Sequence, residues 1–191
     1  TTGWDHEQYR FHSDAEGNWS VRIPTPEAGG PFDITISDGK KITLRNILIG
    51  EVWFCSGQSN MEMPVAGWGK VLNYEQEVAA ADYPCIRLFQ VKKATSLAPA
   101  ADVASTMGGW QECSPASVPE FSALGYFFAR RLWQELGIPV GVIDCTWGGT
   151  PAEAWTSYST LKNVYGYVDE MRDLSRMNFD AAKMQERYIS K

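Results

Sequence analysis

A chain of 191 residues, 44% hydrophobic and 21% charged, has the material for one ordinary core plus a small additional domain, a globular composition that excludes an intrinsically disordered chain. The formal charge of −6 and the pI near 5.0 come without any basic run, which argues against nucleic acid and anionic membranes as partners and favours a neutral or weakly charged one. No apolar stretch is long enough to span a bilayer, and no charged and apolar leader opens the sequence at Thr1, so the chain is expected to be cytosolic or already trimmed of a signal.

Up to residue 50 the pattern is strand and turn. Residues 19–23 and 32–36 alternate apolar and polar side chains, and Asp38-Gly39 marks a hairpin before a further strand at 41–44. These segments read as part of a small β-sandwich or jelly-roll domain over residues 1–50, with too few strands to close it. From Glu51 strands alternate with helices. Residues 52–55, 86–91 and 140–145 are apolar strands, and residues 72–81 offer a crossover helix. Phe121, Leu124, Phe128, Leu132 and Leu136 recur at helical spacing, with Ser117-Val118-Pro119-Glu120 as a capping box and Gly137 as the stop. Residues 160–191 read mostly as amphipathic or irregular helix, with Met171, Leu174, Met177 and Met184 facing inward. This grammar predicts an α/β domain with a parallel sheet over residues 51–191.

Cys55, Cys85, Cys113 and Cys145 are widely spaced, without Cys-x-x-Cys or a nearby histidine, so no metal site and no cofactor is expected. Cys55 and Cys145 read as small apolar fillers of buried strands. Cys85 and Cys113 are the better disulfide candidates in an oxidising compartment.

The most informative stretch runs from Glu51 to Pro64, where an apolar strand enters Gly57-Gln58-Ser59-Asn60. A serine hydroxyl attacks a carbonyl only when a base takes its proton and fixed donors receive the oxyanion. A turn at the end of a buried strand would hold Ser59 rigidly, with a helical turn beginning at Asn60 or Met61. The α/β-hydrolase elbow is excluded, since Met61 stands where that motif requires glycine. The plain alternative is that Ser59 merely caps a helix.

The wording Val52-Trp53-Phe54-Cys55-Ser56-Gly57-Gln58-Ser59-Asn60-Met61-Glu62-Met63-Pro64 resembles the first motif of the SGNH (GDSL-type) hydrolases, in the form found in sialate O-acetylesterases. A second block, from Gly141 through Asp144-Cys145-Thr146-Trp147-Gly148-Gly149-Thr150 to Pro151-Ala152-Glu153-Ala154-Trp155, is similar to that family's strand and Gly-Gly-Thr turn. Residues 24–50 are similar, less specifically, to the domain preceding the hydrolase core.

The resemblance implies a flavodoxin-like sheet of strand order 2-1-3-4-5, in which the first and third strands lie side by side and bring Ser59 and the glycine turn to one switch point. It also implies Ser59 as nucleophile, with its own amide and one from Gly148 or Gly149 as oxyanion donors. Gln58 and Asn60 either orient the turn or touch substrate, and Glu153 either touches substrate or serves a helix start. Trp147 and Trp155 are better placed than Trp68 and Trp110 to wall a cleft for sugar faces. The family completes its machinery with a downstream Asp-x-x-His, which this sequence lacks; His6 and His12 precede Ser59 and lie outside any such motif. The implied protein is a carbohydrate O-acetylesterase, secreted, periplasmic or lysosome-like, acting on an O-acetylated sugar and needing no cofactor, with the histidine carried by a further C-terminal segment. An acetyl xylan esterase and a non-catalytic carbohydrate-binding relative are the rivals.

Overall fold

The computed structural model describes residues 1–96 and 98–176. They fall into two compact units, one spanning Thr1–Gly148 and one beginning at Gly149.

In the first unit, strands β1 (Gly29–Ser37) and β2 (Lys41–Ile49) form an antiparallel hairpin across the Asp38-Gly39 turn. Thr35 and Thr43, opposite each other, join their hydroxyls at 3.2 Å. The strand expected at residues 19–23 does not form. Alternation alone makes no strand without a neighbour to accept its backbone hydrogen bonds, and Trp19 instead stacks on Phe11 with ring centroids 4.4 Å apart.

The central sheet comprises β3 (Glu51–Gly57), β4 (Tyr83–Gln90), β5 (Gln111–Cys113) and β6 (Val140–Thr146), in the order β3-β6-β4-β5. Both contacts of β6 are parallel, and β5 closes one side as an antiparallel edge. The first and third strands of the expected parallel set are therefore neighbours. The second lies beyond the third, not beyond the first as a 2-1-3 order requires. Burial accounts for the centre: β6 is shielded at Val140, Gly141 and Val142 and at Asp144, whereas β3 exposes Val52 and Phe54 at 62% each. The expectation of a buried first strand holds only for Cys55.

Helices α1 (Ser59–Glu62) and α2 (Tyr74–Ala79) lie between β3 and β4, and α3 (Ala123–Leu136) connects β5 to β6. Ile86 and Leu88 of β4 and Val140 and Val142 of β6 are wholly buried with Phe121, Tyr126 and Ala129. Each such large apolar side chain contributes about 1.5–3 kcal/mol. Gly137 ends α3 in the left-handed region, as expected, but the cap is Ser122 and not Ser117. Ser117 instead closes a turn of its own, receiving the Ser114 amide at 2.9 Å and donating to the Glu112 carbonyl.

The four cysteines are free. Cys113 faces Tyr83 across the ladder instead of Cys85, and burial pushes its thiol up to about 12.

The second unit holds a 3-10 turn at Ala152–Trp155 and helices α4 (Tyr158–Leu161) and α5 (Val168–Arg176). Ser157 caps α4, and Leu161 and Met171 are buried. The mostly helical segment expected from residue 160 is thus interrupted between Leu161 and Val168. Met177, Met184 and the side chain of Leu174 lie outside what is described. Among the described residues no helix is long and apolar enough to cross a membrane.

Candidate active site

β3 ends at Gly57, whose φ of 151° suits glycine, and a Cβ there would lie 2.8 Å from Met61 Cγ. The backbone can therefore fold at once into α1, which begins at Ser59, a residue earlier than expected. Gln58, not Ser59, occupies the cap position, so the helix-cap role does not explain this serine. Its side chain is exposed in a depression of about 380 Å³ lined by Gln58, Ser59, Asn60 and Met61.

Because β3 is largely exposed, the rigidity of the turn comes from elsewhere. The Glu62 amide donates to the Gln58 carbonyl and the Met63 amide to the Ser59 carbonyl, each at 2.9 Å. The start of α3 then grips the same turn. Ser122 is fully buried; its hydroxyl donates to the Met61 carbonyl at 2.6 Å and accepts the Gly125 N–H at 3.0 Å, while the Ala123 amide reaches the Met63 carbonyl at 2.8 Å. Ser122→Ala removes a helix cap and strands a carbonyl, so it is expected to destabilise the protein by roughly 2–4 kcal/mol, read from the denaturant midpoint. A shift of a few tenths would mean that water replaces the hydroxyl.

From the other side, the Trp147 amide donates to the Gly57 carbonyl at 2.9 Å, carrying the β3–β6 ladder one residue past the strand. Gly148 follows directly. A Cβ on it would lie 3.4 Å from the Ser59 hydroxyl oxygen and 2.6 Å from a carboxylate oxygen of Glu62, so the turn approaches the serine as only glycine allows. The Gly148 N–H donates to that Glu62 carboxylate. Lys93 forms an ion pair with the other oxygen and sits 5.7 Å from the centre of the Trp147 ring.

Beneath this surface Asp144 is buried on β6. Its carboxylate accepts from the Thr146 hydroxyl at 2.7 Å and from the Gln90 side chain at 3.1 Å. The same Gln90 amide donates to the Glu120 carbonyl at 2.9 Å, tying β4, β6 and the approach to α3 together. Burial, the dominant influence, raises the Asp144 carboxyl above the usual carboxylate range.

The structure thus brings Gln58, Ser59, Asn60, Trp147 and Gly148 to the carboxyl ends of two adjacent strands. In the second unit, Gly149 turns with φ 76°. Glu153 accepts a hydrogen bond from the Tyr167 hydroxyl, which lowers its carboxyl, and the Trp155 indole donates to the Thr150 hydroxyl at 2.7 Å. Trp110 packs on Phe89 with centroids 5.4 Å apart, and Trp68 is 67% exposed. His6 and His12 are exposed in the N-terminal segment, and among the described residues no side chain bonds the Ser59 hydroxyl. No group of three His, Cys, Asp or Glu among the described residues is placed to hold a metal.

Sequence reading missed Glu62, Lys93, Ser122 and Asp144. The signal for Glu62 was present, since a residue three positions after Ser59 shares its helical face. Asp144 stands inside the Gly141–Trp155 block, two residues before its partner Thr146, whereas Lys93 and Ser122 come from distant segments and carry no local signal.

A mixed α/β protein with its polar site at the carboxyl ends of neighbouring parallel strands is the class these features define. The family model for carbohydrate esterases of the sialic acid-specific acetylesterase type matches residues 49–181, and the chain belongs to that family. It is 34% identical over 164 residues to the sialate O-acetylesterase of Homo sapiens and 32% identical over 155 residues to that of Rattus norvegicus, which covers 80% and 75% of this chain. It spans only 30% and 28% of those two relatives. A solved structure of a carbohydrate acetylesterase from Xanthomonas citri superposes with a TM-score of 0.75 at 38% identity, over 85% of this chain and 37% of that one.

Proposed function

We propose that this chain carries the nucleophile-bearing part of a carbohydrate O-acetylesterase that hydrolyses acetyl esters on sugar hydroxyls. The observation that carries the reading is the convergence of an exposed Ser59 and the Gly148 turn at the ends of β3 and β6, in a chain of this family. Ser59 attacks the acetyl carbonyl, and the oxyanion is received by its own amide and one from the turn that follows Gly148, whose own N–H is held by Glu62. The sugar alcohol leaves, and water then releases acetate from the acyl-enzyme. The proton is taken by a histidine that this sequence does not contain, supplied by a further polypeptide segment. Gln58, Asn60 and Trp147 are at hand to contact the sugar. No step requires a metal or cofactor.

The same reading extends to the fold. Val52, Trp53 and Phe54 lie exposed on the β3 edge, which supports further strands beyond it in an SGNH-type sheet, and the β1–β2 hairpin would belong to a β-sandwich. The substrate is tested by acetate release from O-acetylated sialic acid and from acetylated xylan, using the complete gene product. Faster release from the sialic acid is expected. Preference for xylan would move the substrate to plant polysaccharide, and release from neither would favour a binding protein.

A further inference from the structure

Glu62 has no role in the chemistry above, yet its carboxylate holds both halves of the site. It stands on the same short helix as Ser59, accepts the Gly148 N–H with one oxygen and pairs with Lys93 through the other, while its side chain is only 17% exposed. Building a side chain at residue 148 would collide with that carboxylate before it met Ser59. A carboxylate accepting a backbone N–H makes a charge-assisted hydrogen bond, stronger than a neutral one. Lys93, from the segment after β4, adds a third anchor and fixes the direction in which the carboxylate points.

We infer that Glu62 is a positioning residue that ties the Gly148 turn to the nucleophile's helix, so that serine and oxyanion loop keep one geometry, with Lys93 holding the carboxylate in place. This rests on the esterase reading given above. Glu62 does not touch the reacting atoms; it acts through Gly148. Its loss lets the glycine turn drift from Ser59, and displacement of about 1 Å in such a constellation costs on the order of 10²-fold in rate. The contact to an oxyanion strengthens mainly in the transition state, so the loss belongs in kcat more than in KM.

The test compares Glu62→Gln with Glu62→Met in the complete gene product, using p-nitrophenyl acetate. The two side chains are close in size and both lack the charge, but only glutamine keeps an acceptor for the Gly148 N–H. Glu62→Met is expected to lose about 10²-fold in kcat with KM little changed, and Glu62→Gln to stay within about tenfold of the parent at a similar melting temperature. Equal kinetics in the two variants, a loss confined to KM, or a gain in kcat/KM would overturn the tether. If Glu62→Met does not fold, Glu62→Gln decides through the Gly148 amide proton, which should move upfield as the charge is lost; an unmoved resonance overturns the inference. Turnover that survives Ser59→Ala would instead overturn the esterase mechanism itself, so the two failures are separable.

Discussion

Ser59→Ala in the complete gene product is expected to lower kcat on p-nitrophenyl acetate by about 10⁴–10⁶ while leaving the melting temperature nearly unchanged. The two halves of that expectation have separate grounds. Structurally, the Ser59 hydroxyl is exposed and has no hydrogen-bond partner among the described residues, and the turn is held by backbone atoms and by Ser122, none of which the substitution touches. Alanine also suits a helical position at least as well as serine. Chemically, in the proposed reaction the hydroxyl is the atom that bonds to the acetyl carbon, and Ser56, which precedes the Gly57 turn on β3, does not replace it. The measurement is steady-state kinetics beside a thermal melt on the same preparation. Near-parent turnover would remove Ser59 as nucleophile, and a collapsed melting curve would show instead a structural role that the geometry does not contain.

The parts of this molecule written in short range were legible in its sequence. Gly57 followed by a polar turn after an apolar strand, Gly137 after a helical run, and Asp38-Gly39 between alternating segments each name a backbone conformation locally, and each stands in the structure. Long-range choices were less legible. The cap of α3 was assigned to Ser117 because the local pattern fits a capping box. The helix starts at Ser122 because that hydroxyl can serve the Gly125 amide and the Met61 carbonyl together, a choice set by a partner far away in the chain. Strand order failed for the same reason: apolar content marks β3, β4 and β6 as strands, but which of them lies in the middle depends on which edges find partners. At the site, the motif pointed to Ser59 and the glycine turn, which the structure brings together. The residues that hold them, Glu62, Lys93 and Ser122, became visible only when their contacts were known.

A second large effect is expected in the supply of the base. The exposed His6 and His12 lie in the N-terminal segment, outside any Asp-x-x-His, and the Ser59 hydroxyl meets no proton acceptor among the described residues. A serine with its oxyanion donors but without a base retains only a small part of its rate, and loss of one member of such a unit typically costs on the order of 10⁴–10⁶ in kcat. The 191-residue chain by itself is therefore expected to be almost inactive toward p-nitrophenyl acetate. A histidine-bearing segment, added as a fusion or as a separate chain, is expected to restore turnover. The restored rate should fall as pH drops through the region near 6.5, where an unperturbed histidine takes up a proton and can no longer accept the one from Ser59. Exchanging the histidine of that segment for alanine should abolish the gain, while exchanging His6 and His12 together should leave it intact. High activity of the isolated chain that survives the loss of both His6 and His12 would place the base on a residue already present, and Glu62, on the same short helix as Ser59, would be the first to test.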